Sequence, residues 1–395
     1  MNKNSIKLAD DSISERQLSD LVEWLRSGER LTKGEQTERF EKAVAELYDV
    51  PYAIFVNSGS SANLLMLYAM KIAGRIPSGK IIVPAISWVT TLSPAIQFGL
   101  DITLCDCNMD DLGLDLNHFE YLCKTVQPDV AFIAHILGHV GDMQEILKIC
   151  EQYNVTLIED ACEAFGTVSE NQQAGTFGEM ASFSFYYGHQ ATTIEGGMLL
   201  AKDSTLANIA RSLRAHGWSR DLQHEFKQEL EEKYNVDEFK AMYTFYYPGF
   251  NFRPTDLQAF IGLQQMQTLD SCVLQRQANY ERYHLSLGPN FWVQKSNYQR
   301  LSALGYATFC HSPNELFKVL KERGIESRPL LCGNLGRQPF WLNHYNEVAL
   351  KNADFVSDHG IYFPLHQNML IDDIDRVVEL VKEYSEPVMP EILSG

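Results

Sequence analysis

Several things are scarce in this chain of 395 residues, and each scarcity excludes something. No run of about 18 apolar residues occurs, so no membrane-spanning helix is expected. The opening MNKNSIKLADDS lacks the apolar core of a secretory signal, so a soluble, cytoplasmic protein is expected. Basic residues are few: 33 Lys and Arg stand against 51 Asp and Glu, a formal net charge of −18. That balance argues against a nucleic-acid or anionic-membrane surface, while leaving room for a local pocket that holds a phosphate. The eight cysteines are dispersed, and only Cys105 and Cys107 lie close together. With no second pair to complete a metal set, they read as buried reduced thiols, and no metal is expected. Internal repeats, low-complexity tracts, a Gly-rich dinucleotide fingerprint, a P-loop and a nucleophile-elbow serine are all missing.

What is present is globular material, 45% hydrophobic and long enough for a large core. Residues 14–27 predict a helix: Ser14 can N-cap it, Gln17 can close a capping box, and Leu18, Leu21, Val22 and Leu25 form one apolar stripe. A second amphipathic helix is predicted over 35–48, with Phe40, Val44 and Leu47 inward. From 95 to 166 strands and helices alternate. ITLCDC, VAFIAHILG and VTLIEDACEAFG read as strands, and Asp142 caps a helix whose Met143, Ile146, Leu147, Cys150 and Tyr153 share a face. Continuous apolar strands alternating with helices predict an α/β fold with a mostly parallel sheet covered on both faces. The charge-dense stretch 219–243 predicts a helical excursion, and a long helix from about 266 to 285 leads to short strands (ATFCHS, GIESRP) and helices (312–323, 371–385). Residues 386–395 read as a loose tail. Two domains follow, a large one over 1–265 and a smaller α+β one over 266–395.

Ligands of such sheets sit at the strand C-terminal ends, where a serine-rich turn, Trp88, Asp160 and Glu163 fall, and the stretch 182–197 presents a further side chain at a strand end. AIFV runs into Asn57-Ser58-Gly59-Ser60-Ser61 and then a helix. Such a small-residue turn either holds a phosphate or simply caps the helix. Trp88 follows the strand Ile81–Val83 and is either core or a flat face for an aromatic ring. Asp160 ends an apolar strand, where a carboxylate needs a positive partner, either a protonated pyridine nitrogen or an arginine. In SFSFYYGHQATTIEGG (182–197), a strand-like run from Ser182 to Tyr187 breaks at Gly188, presents His189 and continues to Gly196-Gly197.

The stretches NSGSSAN, VPAISWVTT, LIEDACEAFG, AGTFGEMASFSFYYGHQATTIEGG, LRAHGW, PGFNFRPTDLQAFIG and GIESRP occur in the order of a known family. Over nearly its whole length the chain resembles the DegT/StrS-like sugar aminotransferases, fold-type-I pyridoxal-phosphate (PLP) enzymes. The resemblance implies that Gly59, Ser60 and Ser184 hold the cofactor phosphate, with Asn251 supplied by the partner subunit of a homodimer whose active site is shared. It implies that Trp88 stacks on the ring, Asp160 pairs with the pyridine nitrogen, and Glu163 lies near the ring hydroxyl, where most of the family has glutamine. Arg253 becomes the clamp for the carboxylate of glutamate, the amino donor, and His216 an assisting catalytic group.

Position 189 departs from the family. Its aminotransferases carry there the lysine that forms the Schiff base, and imidazole cannot form a stable imine. The chain is similar in this to a subgroup of pyridoxamine-phosphate (PMP) dependent keto-sugar 3-dehydratases of the colitose pathway, which act on a GDP-linked 4-keto-6-deoxy hexose. That likeness implies a noncovalent cofactor, His189 as the proton-transfer base, a sugar or nucleotide-sugar substrate, and a role in surface-polysaccharide or lipopolysaccharide synthesis. The alternative is a glutamate-using aminotransferase of a keto or aldehydo sugar, with His189 natural or replacing the lysine. A relative that binds without turnover would also lack the lysine, but Asp160, Trp88, Ser184 and Arg253 are all retained. The iron–sulfur enzymes with histidine at this place need a cysteine cluster, which the dispersed thiols do not suggest.

Overall fold

The computed structural model describes residues 5–10 and 12–390. Helix α1 (Glu15–Arg26) begins with the predicted capping box: the Gln17 N–H donates to Ser14 Oγ, and the Ser14 N–H donates to Gln17 Oε1 at 2.9 Å. Its apolar stripe does not face the core. Leu18 and Val22 are 47% and 46% exposed and Leu25 is exposed too, whereas Gln17 is buried and Trp24 stacks on Phe260 at 4.9 Å. In α2 (Glu35–Tyr48) Phe40 and Val44 point inward as predicted, but Leu47 is exposed and Tyr48 takes its place. A spacing of four carries the buried row from Phe40 through Val44 to Tyr48.

Strand–helix alternation then builds the main sheet. β1 (Tyr52–Val56) leads to α3 (Gly59–Ile72), β2 (Lys80–Pro84) to α4 (Val89–Gln97), and β3 (Asp101–Cys105) to α5 (Leu116–Val126). β4 (Val130–Ala134) leads to α6 (Met143–Tyr153) and on to β5 (Thr156–Asp160). The predicted Asp142 cap is present, with the Glu145 N–H donating to its carboxylate, but Ile149 replaces Leu147 on the buried face. The short hairpin β6 (Val168–Ser169) and β7 (Gln172–Gln173) precedes β8 (Met180–Ser184), β9 (Gly197–Ala201) and α7 (Ser204–Arg214). The strand expected to reach Tyr187 stops at Ser184, because the chain turns there toward His189.

The seven strands lie in the order β1-β9-β8-β5-β4-β2-β3. β3, β2, β4, β5 and β8 are parallel neighbours, and β9 runs antiparallel to both β8 and β1. Alternate side chains enter different cores: Ile54, Val56, Ile81, Val83 and Phe132 on one face, Ala53, Phe55, Ile82, Ala131 and Ile133 on the other. Both faces are therefore covered, which is why the strands read as unbroken apolar runs.

The excursion 219–243 is helical, as α8 (His224–Lys233) and α9 (Glu238–Ala241). α10 (Asp256–Met266) is capped by Thr255, and α11 (Leu269–Leu287) bridges to a second sheet. There β10 (Gly305–Phe309), α12 (Pro313–Glu322), β11 (Arg328–Pro329), α13 (Pro339–Leu342), α14 (Lys351–His359), β12 (Gly360–Pro364) and α15 (Ile371–Tyr384) follow. β12, which has no alternating pattern to announce it, lies in the centre of the antiparallel order β10-β12-β11. GIESRP supplies only the two residues of β11, because Ile325 instead bridges to Ile6. Of the expected loose tail, 391–395 lie outside the described residues. Among the described residues no helix is long and apolar enough to cross a membrane.

Candidate active site

A cavity of about 430 Å³ opens at the C-terminal ends of the parallel strands. Gly59, Ser60, Trp88, Asp160, Glu163, Ser184 and His189 all line it. They come from four different strand ends and loops, so the fold assembles them where the strand pattern located a ligand site.

One wall is the N-terminus of α3. Ser58 caps the helix by accepting from the Ser61 N–H at 3.1 Å, and Ser60 Oγ donates to Thr90 Oγ1 at 3.1 Å. Gly59 passes so close to β8 that a Cβ there would lie 2.7 Å from Ser184 Cβ and 2.8 Å from Cys162 Sγ. Only glycine lets the helix start approach the strand. The result is a cradle at the start of the helix with the Ser60 and Ser184 hydroxyls beside it, a setting suited to a phosphate.

Asp160 is buried at the end of β5. Its Oδ2 accepts from Asn63 Nδ2 and Thr91 Oγ1, each at 2.7 Å, and its Oδ1 from the Cys162 N–H at 3.1 Å. Ser182 Oγ in turn donates to Asn63 Oδ1, which fixes that amide's orientation. Among the described residues no cationic side chain pairs with Asp160, so the arginine alternative is not realised. A buried carboxylate held by neutral donors and facing a cavity fits a protonated ring nitrogen. Trp88, at the N-cap of α4, is 55% exposed and offers a ring face at the same cavity, so it is not core.

His189 sits in the turn after β8, where its N–H donates to the Tyr186 carbonyl at 3.0 Å. Its Nδ1 lies 2.7 Å from the Cys162 carbonyl oxygen. A carbonyl only accepts, so Nδ1 carries the proton and Nε2 keeps the lone pair of the neutral ring. Burial lowers the imidazole pKa to about 4, against the opposing hydrogen bond that the ring donates to the Cys162 carbonyl. Glu163 shows the reverse response: burial raises its carboxyl to about 7, although Oε2 accepts from the Leu137 N–H at 2.7 Å.

The other three predicted site residues do not line this cavity. His216 has a left-handed backbone (φ 66°) and donates its N–H to the Phe250 carbonyl at 2.6 Å. Asn251 and Arg253 are exposed, and Arg253 Nε donates to Asn251 Oδ1 at 3.0 Å. Sequence reasoning missed Asn63, Thr91, Glu195 and Tyr362 in the cavity wall, and Arg276 behind it. Asn63 and Thr91 were in view within SSAN and VTT, but only the tertiary structure directs both at Asp160.

Sheet order, covered faces and the position of the cavity define a fold-type-I PLP-dependent transferase framework. The chain belongs to the DegT/DnrJ/EryC1/StrS aminotransferase family, whose profile matches residues 11–382. Among curated relatives, it is 31% identical to the GDP-4-keto-6-deoxy-D-mannose 3-dehydratase of Yersinia pseudotuberculosis over 95% of this chain and 98% of the relative. It is also 31% identical to the enzyme of the same name from Escherichia coli O55:H7, over 89% and 93% of the two chains. The solved E. coli GDP-4-keto-6-deoxy-D-mannose-3-dehydratase with bound hydrated PLP superimposes with a TM-score of 0.86 at 30% identity, covering 95% of this chain and 98% of that one. A structure of that dehydratase with a trapped PLP-glutamate geminal diamine matches equally well, with a TM-score of 0.86 at 30% identity over 95% and 99% of the chains.

Proposed function

We propose that this protein is a PMP-dependent keto-sugar 3-dehydratase that uses glutamate and acts on a GDP-linked 4-keto-6-deoxy hexose in lipopolysaccharide or related surface-polysaccharide synthesis. The observation that carries this reading is His189: a neutral imidazole with Nε2 free stands where the family's aminotransferases have lysine. When bound, the cofactor supplies an amine for the sugar carbonyl and an electron-accepting ring. The α3 cradle with Ser60 and Ser184 would hold its phosphate, Trp88 its ring face, Asp160 its ring nitrogen and Glu163 its ring hydroxyl. Nε2 of His189 accepts a proton and passes it to the departing C3 hydroxyl, which leaves as water. Having no amine, His189 cannot tether the cofactor, so the cofactor is held noncovalently and can stay in the amine form.

The same reading makes the protein a cytoplasmic homodimer, with a large cofactor-binding domain over 1–265 and a small domain over 266–395. The exposed Asn251 and Arg253, together with His216, would complete the partner's site, Asn251 at the phosphate and Arg253 at the glutamate carboxylate. The test is to incubate the protein with PLP, glutamate and the GDP-linked 4-keto-6-deoxy hexose and to measure product masses. Loss of the C3 oxygen is expected. Replacement of the carbonyl by an amine would establish transamination instead, and failure of glutamate to convert bound PLP would overturn both chemistries.

A further inference from the structure

Behind the turn that carries His189 lies Arg276 of α11, 1% exposed. No carboxylate pairs with it among the described residues. Its guanidinium instead donates to Gln367 Oε1 at 3.1 Å, to the Ala303 carbonyl at 3.0 Å, to the Leu365 carbonyl at 2.8 Å and to the His189 carbonyl at 3.4 Å. A buried guanidinium without an acid is costly, and an apolar side chain of similar size would avoid that cost. What the apolar side chain would lack is a rigid fork of donors able to fasten separate segments at once.

The fastened segments are the His189 turn and the chain on either side of the second sheet, before β10 and after β12. Those flanks lead directly to Leu304 and Tyr362, which line the cavity. One helical turn earlier on α11, Cys272 Sγ donates to the Gln190 carbonyl at 3.2 Å. The same face of the bridging helix therefore holds two successive carbonyls of the turn. Gln190 closes the arrangement from the other side, its Nε2 donating to the carbonyls of Glu163 and, at 2.7 Å, of Ser302.

We propose that Arg276 is a positioning residue for His189, fixing the turn against the second sheet so that the imidazole keeps one orientation in the cavity. The inference rests on the reading of His189 as the proton-transfer base. The charge of Arg276 acts in the same direction: it disfavours imidazolium at His189 and also at His366. Asp160 at the end of β5 opposes it. The other ionisable groups lining the same cavity are Cys162 and Glu163 in the loop after β5, His135 after β4, Tyr186 and Glu195 beside the turn, and Tyr362 on β12. Burial is the main reason the imidazole stays neutral, and Arg276 is the cation that adds to it.

The experiment compares Arg276→Met and Arg276→Lys with the native protein. In cofactor-free protein with 15N-labelled histidine, NMR follows the titration of the His189 ring. In the loaded enzyme, kcat and KM for the keto sugar are measured across pH. Arg276→Met is expected to raise the His189 transition and to lower kcat about tenfold or more with KM nearly constant. Arg276→Lys retains the charge but not the fork, so it should leave the transition in place and lose less kcat. A transition and kcat unchanged in both variants, with only thermal stability lowered, would assign Arg276 to structure alone and overturn the proposal. If the methionine variant fails to fold, an unaltered kcat in the lysine variant overturns it. Native protein that cannot convert bound PLP with glutamate would refute the dehydratase reading, a result separate from either variant outcome.

Discussion

The Nδ1 of His189 lies 2.7 Å from the carbonyl oxygen of Cys162, two residues beyond the Asp160 carboxylate. The loop that follows Asp160 therefore selects the tautomer of His189, and it starts from the acid proposed to face the cofactor's ring nitrogen. His189→Asn can still donate to the Cys162 carbonyl, but it has no group that takes up a proton. The variant is expected to bind PLP as the native protein does and to lose about 10²- to 10⁴-fold in sugar turnover. Cofactor absorbance after gel filtration and product mass separate the two effects, and full turnover would remove His189 from the mechanism.

His189 and Glu163 act oppositely on stability as pH changes. The imidazole is lowered to about 4, so between that value and the ordinary 6.5 only the unfolded chain binds the proton; its contribution is complete above 6.5 and lost as pH falls toward 4. Glu163 is raised from 4.5 to about 7, so in that window the folded chain keeps the proton, and its contribution declines as pH rises. The two slopes offset each other in the native protein. Glu163→Gln removes the declining limb, and the melting temperature of the cofactor-free variant should climb more steeply from pH 5 to 7 than that of the native protein. Identical profiles would mean that Glu163 is not protonated in the fold.

Much of this site was legible because its parts are local. A turn of small residues opening a helix, a Trp after a strand and an acid ending an apolar strand are each contiguous patterns, and parallel topology puts them together at one sheet end. The relations that tertiary structure alone creates were not legible. Nothing near Arg276 in sequence connects it with His189, 87 residues away. Nor does the helical period say which side of α1 meets the core. The Leu18–Val22 stripe reads as inward, yet Gln17 and Trp24 take that side because Gln265 and Phe260 of α10 offer a hydrogen bond and a ring to meet them. β12 was missed because five residues ending in proline carry too little periodicity to announce a central strand.

The exposed α1 stripe leads to a prediction about assembly. Leu18 and Val22 are about half exposed and belong to none of the buried clusters of their own subunit, so Leu18→Glu with Val22→Glu should change the melting temperature of a monomer little. If the proposed homodimer covers this stripe, the double variant runs as a monomer in light scattering at concentrations where the native chain is a dimer. It should also lose glutamate-driven conversion of PLP, because the partner's Arg253 is no longer supplied. A dimer of unchanged mass would place the interface elsewhere.

Gly59 provides the sharpest steric test of the phosphate cradle. Alanine is the better helix former, so at the first position of α3 the substitution costs nothing in propensity. Its Cβ, however, would lie 2.7 Å from Ser184 Cβ and 2.8 Å from Cys162 Sγ, well inside the contact distance of about 3.5–4.0 Å. Either α3 or β8 must then shift, which separates the helix N–H groups from the Ser184 hydroxyl. Gly59→Ala should weaken PLP retention about tenfold or more, since each 1.4 kcal/mol of lost binding is a factor of ten. Ser60→Ala removes one hydroxyl without moving the backbone and should cost less. Adding Cys162→Ala to Gly59→Ala removes one of the two clashing atoms and should restore part of the affinity. Equilibrium PLP titration of the three variants gives the ranking, and equal affinity in Gly59→Ala and native protein would show that the phosphate is held elsewhere.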